Sequence, residues 1–192
     1  MKLAGNIQNP TVLVIGCFHG DEPQGKYLIA EYLKQFPDSK MLFIPCLNEY
    51  GVEHNVRTNK NGVDLNRNFP TKNWELTQRN EFFGGETPAS EEETRFVINV
   101  VEKYNPKFIL TLHAPFKVVN YDGDAREIAE EISKIINYPV EANIGYPTPG
   151  SFGTWAGIEK EIPTITLELD EEVGVESLRE SVFEIFKLLE DK

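Results

Sequence analysis

Short runs of apolar residues alternate along this chain with segments of helical pattern. The β-branched side chains of these runs favour buried strands. The predicted strands are residues 11–16 (TVLVIG), 41–45 (MLFIP), 107–113 (KFILTLH) and 162–169 (IPTITLEL). The predicted helices are residues 23–36, 90–104, 124–136 and 175–189. Strands that alternate with helices indicate a three-layer α/β sandwich, in which helices flank a mixed, mostly parallel sheet.

The length and charge of the chain limit what such a sandwich can do. A chain of 192 residues suits one domain, predicted here to span residues 1–192. The net charge of −12 argues against general binding to nucleic acids or anionic membranes, because both favour positive charge. No apolar run reaches the roughly 20 residues that span a bilayer, and residues 1–10 lack the apolar stretch of a secretion signal. A cytoplasmic protein is therefore predicted, while its oligomeric state is left open.

Residues 48–90 interrupt the alternation of strands and helices. This segment is rich in Asn, Gly, Thr and Pro and shows little periodicity. Such a long irregular segment inside a compact domain is usually functional or disordered. The helix that follows is predicted to open with a capping box, formed by Ser90 and Glu93.

Residues 20–26 (GDEPQGK) look like a phosphate-binding P-loop but lack its chemistry. A P-loop needs Ser or Thr after its lysine, and Tyr27 stands there instead. Pro23 has no N–H to offer a phosphate, and two acidic residues would repel one. What remains is a pair of possible metal ligands three residues apart, His19 and Glu22.

His19 and His113 each follow a strongly apolar predicted strand, and Glu22 lies three residues after His19. Two imidazoles and a carboxylate, with a fourth position open to water, form a catalytic zinc arrangement. On this spacing alone, hydrogen-bonded structural histidines remain the alternative. His54 has no such partner in sequence and is predicted to lie on the surface.

A motif in the long irregular segment helps to choose between a zinc site and structural histidines. Residues 64–69 (DLNRNF) resemble the D-x-N-R-N-[FW] signature of zinc carboxypeptidases of the M14 type. Four features occur in that family's order: HxxE after the first strand, an arginine ahead of DxNRN, a histidine ending a later strand, and a glutamate in a late strand. The resemblance extends over about residues 11–170. A merely structural cluster of Asn and Arg side chains is the alternative for the motif.

The resemblance implies a role for each matching residue. His19, Glu22 and His113 match the ligands of one zinc ion per chain. Glu168 matches the general base that assists attack by zinc-bound water, and Arg57 matches the arginine that polarises the scissile carbonyl. Zinc acidifies bound water, and a nearby carboxylate takes the proton and returns it to the leaving amine.

The same resemblance implies how a substrate is held. Asn66 and Arg67 match the clamp for the substrate's free carboxylate, which a guanidinium grips through two parallel hydrogen bonds. Tyr146 matches, by position, a tyrosine that covers the substrate, with a packed aromatic as its alternative. Asp64 and Asn68 are predicted to brace the loop.

The position of Glu168 supports its predicted role. Alternation within its strand places Thr166 and Glu168 on the same face. A carboxylate buried there needs a partner, and Lys160 is the structural alternative to a catalytic role.

The segments HGDE, DLNRNFP and TPGSFGTW are most similar to those of small murein peptide amidases. These enzymes cleave the γ-D-glutamyl–diaminopimelate amide of peptidoglycan fragments in the cytoplasm. The resemblance thus implies a zinc-dependent hydrolase of a peptide's C-terminal amide bond, with a small peptide or muropeptide as substrate. Two alternatives remain: a zinc acylase of the aspartoacylase or succinylglutamate desuccinylase type, and a non-catalytic peptide-binding module. The ligand set also suits several divalent metals.

Overall fold

The computed structural model describes residues 1–143 and 145–192. Within these residues, seven strands form one sheet. The strands are β1 (Ala4–Gly5), β2 (Val12–Gly16), β3 (Leu42–Ile44), β4 (Phe108–His113), β5 (Val118–Asp122), β6 (Val140–Glu141) and β7 (Thr164–Glu168). Their order is β1-β3-β2-β4-β7-β5-β6, and neighbours are parallel except β1 with β3 and β5 with β7. The predicted mixed, mostly parallel sheet is confirmed.

Apolar clusters cover both faces of this sheet and define the three layers. The helices are α1 (Gln24–Gln35), α2 (Glu49–His54), α3 (Glu92–Tyr104), α4 (Arg126–Ile136) and α5 (Val175–Glu190). Side chains of α1, α4 and α5, such as Leu28, Ile132 and Phe186, pack in one cluster. The other cluster combines Val97 of α3 with Phe69 of the long irregular segment. The sheet is therefore buried on both faces, as expected for parallel strands.

Alternation along the central strands separates apolar from polar side chains. In β7, Ile165 and Leu167 belong to the cluster formed with α1, α4 and α5. Thr164, Thr166 and Glu168 face the opposite side, because side chains alternate along a strand. Thr166 and Glu168 therefore share a face, as predicted, and Glu168 pairs in register with His113 of β4.

The start of α3 differs from the prediction. This helix begins at Glu92, its N-cap is Glu91, and no side chain caps it, so the predicted capping box is wrong. The Ser90 hydroxyl instead donates to the Glu91 carboxylate at 2.7 Å and accepts from the Asn68 amide at 3.0 Å. Ser90 thus ties the irregular segment to the helix and is not available as a cap.

The irregular segment contains some helical structure that was not predicted. Helix α2 lies at its beginning, and a single 3-10 turn spans Leu65–Arg67. The side chain of Asp64 accepts a hydrogen bond from the Asn66 N–H at 2.8 Å and so begins this turn. Among the described residues, none of the helices has the length and apolar character needed to cross a bilayer.

Candidate active site

A cavity of about 750 Å³ opens beside the carboxyl ends of β2, β4 and β7. In sheets of this type, ligands bind at this edge because loops from neighbouring strands converge there. The wall of the cavity includes all eight residues that the sequence assigns to a site: His19, Glu22, Arg57, Asn66, Arg67, His113, Tyr146 and Glu168. His54 lies outside this wall, exposed on α2, as predicted.

His19, Glu22 and His113 converge on one point, and all three are buried. The Nδ1 atom of His19 lies 2.7 Å from one oxygen of Glu22, and Nδ1 of His113 lies 2.9 Å from the other. One ligand atom from each residue lies within 4.8 Å of the others. Two imidazole nitrogens and a carboxylate oxygen are the donors of many catalytic zinc sites. The donor set therefore fits such an ion.

Asp64 orients the first of these histidines. Its carboxylate is completely buried and lies 3.0 Å from Nε2 of His19. It also accepts hydrogen bonds from Arg57, from Nε at 3.0 Å and from Nη2 at 2.8 Å. A carboxylate on the far nitrogen fixes the ring so that Nδ1 faces Glu22. Asp64 was predicted only to brace the loop. Its position as the first residue of the DxNRN motif was the sequence signal for a role in the site.

The charges in this cluster depend on one another. Burial lowers the pKa of His19, but the carboxylates of Glu22 and Asp64 outweigh burial and raise it to about 9. Burial raises the pKa of Glu22, but His19 and His113 hold it well below its usual range. For Asp64, His19 and Arg57 likewise overcome burial and lower the pKa. The cluster therefore favours ionised carboxylates beside the imidazoles.

The loop that carries His19 is held by close backbone contacts. The Gly20 N–H donates to the Arg57 carbonyl at 3.2 Å, and the Asn48 amide donates to the same carbonyl at 3.1 Å. A Cβ on Gly20 would lie 1.9 Å from the carbonyl carbon of Gly51, which belongs to α2. Only a glycine fits here, because backbone cannot yield as a flexible side chain does.

We expect Gly20→Ala to destabilise the protein by about 1–3 kcal/mol, the usual cost of overpacking. Urea unfolding of the purified variants measures this directly. Gly174→Ala is the control, since its Cβ would meet only the end of the Glu176 side chain, at 3.2 Å. That variant should lose less than about 1 kcal/mol. Equal stability of the two variants would contradict the contact with Gly51.

Arg67 is buried but has no acidic partner among the residues that the structure describes. Its Nη1 donates to the carbonyl of Asn66 at 2.8 Å. None of the ion pairs between residues of the described ranges includes Arg67. The side-chain oxygen of Asn66 accepts from the Phe152 N–H at 2.8 Å, which fixes that amide in the cavity wall. The two residues thus offer an unpaired positive charge and a fixed amide to an external anion.

Glu168 is also buried and incompletely paired. Its Oε2 has no hydrogen-bond partner among the residues that the structure describes. Burial raises the pKa of Glu168, while the neighbouring imidazole of His113 opposes that rise. The alternative partner, Lys160, has its ammonium 5.6 Å from the ring centre of Trp155, and no ion pair joins it to Glu168 in the described chain. Glu168 is therefore free to accept a proton from a molecule in the cavity.

Exposed aromatic side chains surround the mouth of the cavity. Tyr146 is 43% exposed, and its ring centre lies 6.5 Å from that of Phe116. Phe82 lies on another part of the wall, with the Arg57 guanidinium 5.1 Å from its ring centre. Only Tyr146 was predicted to lie here. Phe82 and Phe116 could not be recognised from the sequence, because each lies in a segment without clear periodicity.

Known proteins share this arrangement of sequence and fold. The sequence profile of the Peptidase_M14 family, described as zinc carboxypeptidase, matches residues 3–131. Murein peptide amidase A of Vibrio campbellii is 33% identical over 181 residues, which cover 84% of this chain and 70% of that protein. Murein peptide amidase A of Escherichia coli K12 is 28% identical over 191 residues, 92% of this chain and 78% of that protein.

The fold comparison agrees with the sequence comparison. The crystal structure of murein-tripeptide amidase from Escherichia coli O157 superposes with a TM-score of 0.82 at 27% identity. The superposition covers 97% of this chain and 83% of the other. The predicted α/β sandwich is thereby confirmed.

Proposed function

Because the chain belongs to the M14 family of zinc carboxypeptidases, and so to the peptide-bond hydrolases, we propose that it is a zinc-dependent murein peptide amidase. In this proposal it cleaves the amide before a peptide's C-terminal residue, the γ-D-glutamyl–diaminopimelate bond. The observation that carries the proposal is that one cavity brings together the His19–Glu22–His113 cluster, a Glu168 whose Oε2 has no partner, and an Arg67 without an ion-pair partner among the described residues. We also propose that residues 1–192 act as one domain, in the cytoplasm.

The proposed metal site consists of His19, Glu22 and His113, with one zinc ion per chain. When bound, zinc polarises the scissile carbonyl and acidifies water. Asp64 keeps the His19 ring in the orientation that this site needs, through its contact with Nε2. Phe18 stacks on the His113 ring at 5.3 Å between ring centres and limits its rotation.

Glu168 is the proposed general base. It takes a proton from the attacking water and returns it to the nitrogen of the leaving residue, so the proton count balances over one turnover. Its position next to His113 in the sheet brings it to the same part of the cavity as the proposed metal ligands. Burial prepares Glu168 for this task, because a carboxylate with a raised pKa holds a proton better.

The two cavity arginines have different proposed roles. Arg57 is fixed by Asp64, and its Nη1 lies 3.6 Å from Glu22. It thus lies beside the reacting carbonyl, where a guanidinium stabilises developing negative charge. Arg67, with Asn66, binds the free carboxylate of the leaving residue. Tyr146, which is exposed in the wall of the same cavity, is proposed to cover the substrate.

The test of this function is hydrolysis of γ-D-glutamyl-diaminopimelate peptides beside ordinary peptides, with the products identified by mass spectrometry. The amidase should release diaminopimelate and should stop when the metal is removed by a chelator. Cleavage of N-acyl amino acids alone would support the acylase alternative. Binding of peptides without release of any product would contradict catalysis.

We expect the purified protein to contain about one zinc ion per chain and His113→Ala to lose both metal and activity. Loss of one ligand weakens the site because two donors rarely hold zinc. Metal analysis and turnover of the same preparations measure this. His54→Ala is the matched control, since His54 is exposed and outside the cavity. Full zinc content in His113→Ala would remove His113 from the metal site.

A further inference from the structure

A carboxylate outside the catalytic cluster lines the same cavity. Asp122 is the last residue of β5, and it lies in the cavity wall with Asn120. Val119 of this strand belongs to the apolar cluster on the other face of the sheet. Alternation therefore turns Asn120 and Asp122 toward the face that carries Thr166 and Glu168. Asp122 thus belongs to the floor on which a substrate would lie.

Two glycines make room for this carboxylate. A Cβ on Gly153 would lie 2.2 Å from Oδ2 of Asp122, and a Cβ on Gly157 would lie 2.3 Å from its Cβ. Any other residue at either position would occupy the space of the Asp122 side chain. The side chain of Asp122 therefore packs against the backbone at Gly153 and Gly157 and does not project freely into solvent.

Nothing in the described chain neutralises Asp122. None of the ion pairs or side-chain hydrogen bonds among residues 1–143 and 145–192 includes its carboxylate. Burial, with no opposing charge, raises the pKa of Asp122 to about 6. A half-buried carboxylate without a partner is costly, and such a cost is retained where a ligand supplies the missing charge. The chemistry that fits is a cation.

The position of Asp122 relative to the other proposed contacts suits one end of a substrate. The Phe152 N–H binds Asn66 of the carboxylate clamp, and the next residue, Gly153, touches Asp122. The clamp and the Asp122 carboxylate therefore both lie next to the same short segment, residues 152–153. Val118 pairs with Glu168, and Asp122 is four residues further along β5, roughly 13 Å away at the usual rise per residue.

A lysine-length side chain has the matching reach. From the attacked carbon of an amide to the terminal nitrogen of such a residue is about 9 Å when extended, and a charge-assisted hydrogen bond adds about 2.8 Å. With its α-carboxylate near Arg67 and its amide at Glu168, the residue would bring a terminal ammonium group to Asp122. A shorter or apolar side chain would leave the carboxylate unpaired.

We propose that Asp122 binds the side-chain ammonium group of the substrate's C-terminal residue and so selects a diamino acid at that position. This inference rests on the proposed amidase function, since it assigns the specificity of the same cavity. The ammonium group supplies the positive charge that the described residues do not place near Asp122. Selectivity of this kind is strong, because a substrate without the amine leaves a desolvated carboxylate unsatisfied.

The test compares γ-D-glutamyl-L-lysine with γ-D-glutamyl-L-norleucine, whose side chains differ by the terminal amine. The wild-type enzyme should prefer the lysine compound by about 30-fold or more in kcat/KM. In Asp122→Asn the preference should fall close to one, because a neutral amide attracts the ammonium group less and no longer leaves a desolvated charge beside the norleucine side chain. Glu171→Gln is the control, because Glu171 lines the cavity but is exposed, and it should keep the preference.

Other outcomes separate this inference from the amidase proposal. Preference retained in Asp122→Asn, or equal losses with both compounds, would overturn the role of Asp122 while leaving the amidase intact. If neither compound is hydrolysed, calorimetric binding of free lysine and norleucine tests Asp122 alone. The amidase proposal fails only if the γ-D-glutamyl-diaminopimelate peptide is not hydrolysed either. Tighter binding of lysine by the wild type but not by Asp122→Asn supports the inference. Equal binding of both amino acids by the wild type overturns it.

Discussion

Glu168→Gln is expected to lower kcat at least by the roughly 10²–10⁴-fold that general acid–base catalysis supplies. The amide keeps the shape of the carboxyl group but cannot accept the proton of the attacking water. Substrate binding and one zinc ion per chain should be retained, because Glu168 is not among the three proposed metal ligands. Steady-state kinetics together with metal analysis of the same protein measure both expectations.

The stability of this variant distinguishes loss of a base from loss of structure. Burial of the Glu168 carboxylate without a partner for Oε2 disfavours its charged form in the folded protein. A raised folded-state pKa means that this carboxylate opposes folding above its unfolded pKa, and a neutral amide removes that penalty. Thermal unfolding of Glu168→Gln near pH 7 should therefore be no easier than that of the wild type. Near-normal kcat with full zinc content would contradict the proposed mechanism.

Glu171→Gln serves as the comparison for Glu168→Gln. Glu171 lies three residues further along the chain and also borders the cavity, but its side chain is exposed to solvent. Its carboxylate is hydrated, and so its removal should change kcat little. A similar loss of kcat in both variants would indicate a general effect of cavity charge and not proton transfer by one residue.

The sequence predicts the central part of the fold well. The strands β2, β4 and β7 consist almost entirely of apolar or β-branched residues, because both faces of the sheet are covered. Polar residues at the ends of such strands stand out, and His113 was recognised in this way. Glu168 was assigned by its match to the M14 family, and its position near the end of a strand supported that assignment. The DxNRN motif supplied the residues of the irregular segment, which no periodicity could have identified.

The edges of the sheet could not be predicted in the same way. β1 and β6 have two residues each, so they exist only through pairing with neighbours distant in sequence. β5 reads VVNYD, and its Asn and Asp face a cavity instead of a core. A strand that carries polar residues toward a cavity lacks the pattern of a buried strand.

Contacts between residues distant in sequence also explain why the sequence analysis did not recognise the full roles of Asp122 and Asp64. The significance of Asp122 depends on Gly153 and Gly157, about thirty residues later, and on the absence of a cation from its surroundings in the described chain. Asp64 was placed in the correct loop, but its simultaneous contacts with His19 and Arg57 require the folded geometry. Pairwise contacts across the fold, rather than local pattern, define both residues.

Arg67→Ala is expected to reduce kcat/KM by about 30- to 5,000-fold for a substrate with a free terminal carboxylate, corresponding to the loss of about 2–5 kcal/mol when a buried charge pair is broken. The same peptide with an amidated C-terminus should lose far less, because it presents no charge to the guanidinium. Arg67 is buried and has no acidic partner in the described chain, so a substrate carboxylate is the partner that its position favours. Arg79→Ala is the matched control, since Arg79 is exposed and pairs with Glu86.

The carboxylate clamp is tested by how much more kcat/KM falls for the free-acid peptide than for the amidated peptide, and not by the loss of activity itself. If Arg67→Ala disturbs only the turn that it shares with Asn66, both substrates should suffer equally, since both need the same cavity wall. If Arg67 holds the carboxylate, the wild-type preference for the free acid over the amide should nearly vanish in the variant. Arg57→Ala should give the opposite pattern, an equal loss on both substrates, because the scissile carbonyl is common to them. Loss of the acid preference in Arg57→Ala but not in Arg67→Ala would exchange the roles proposed for the two arginines.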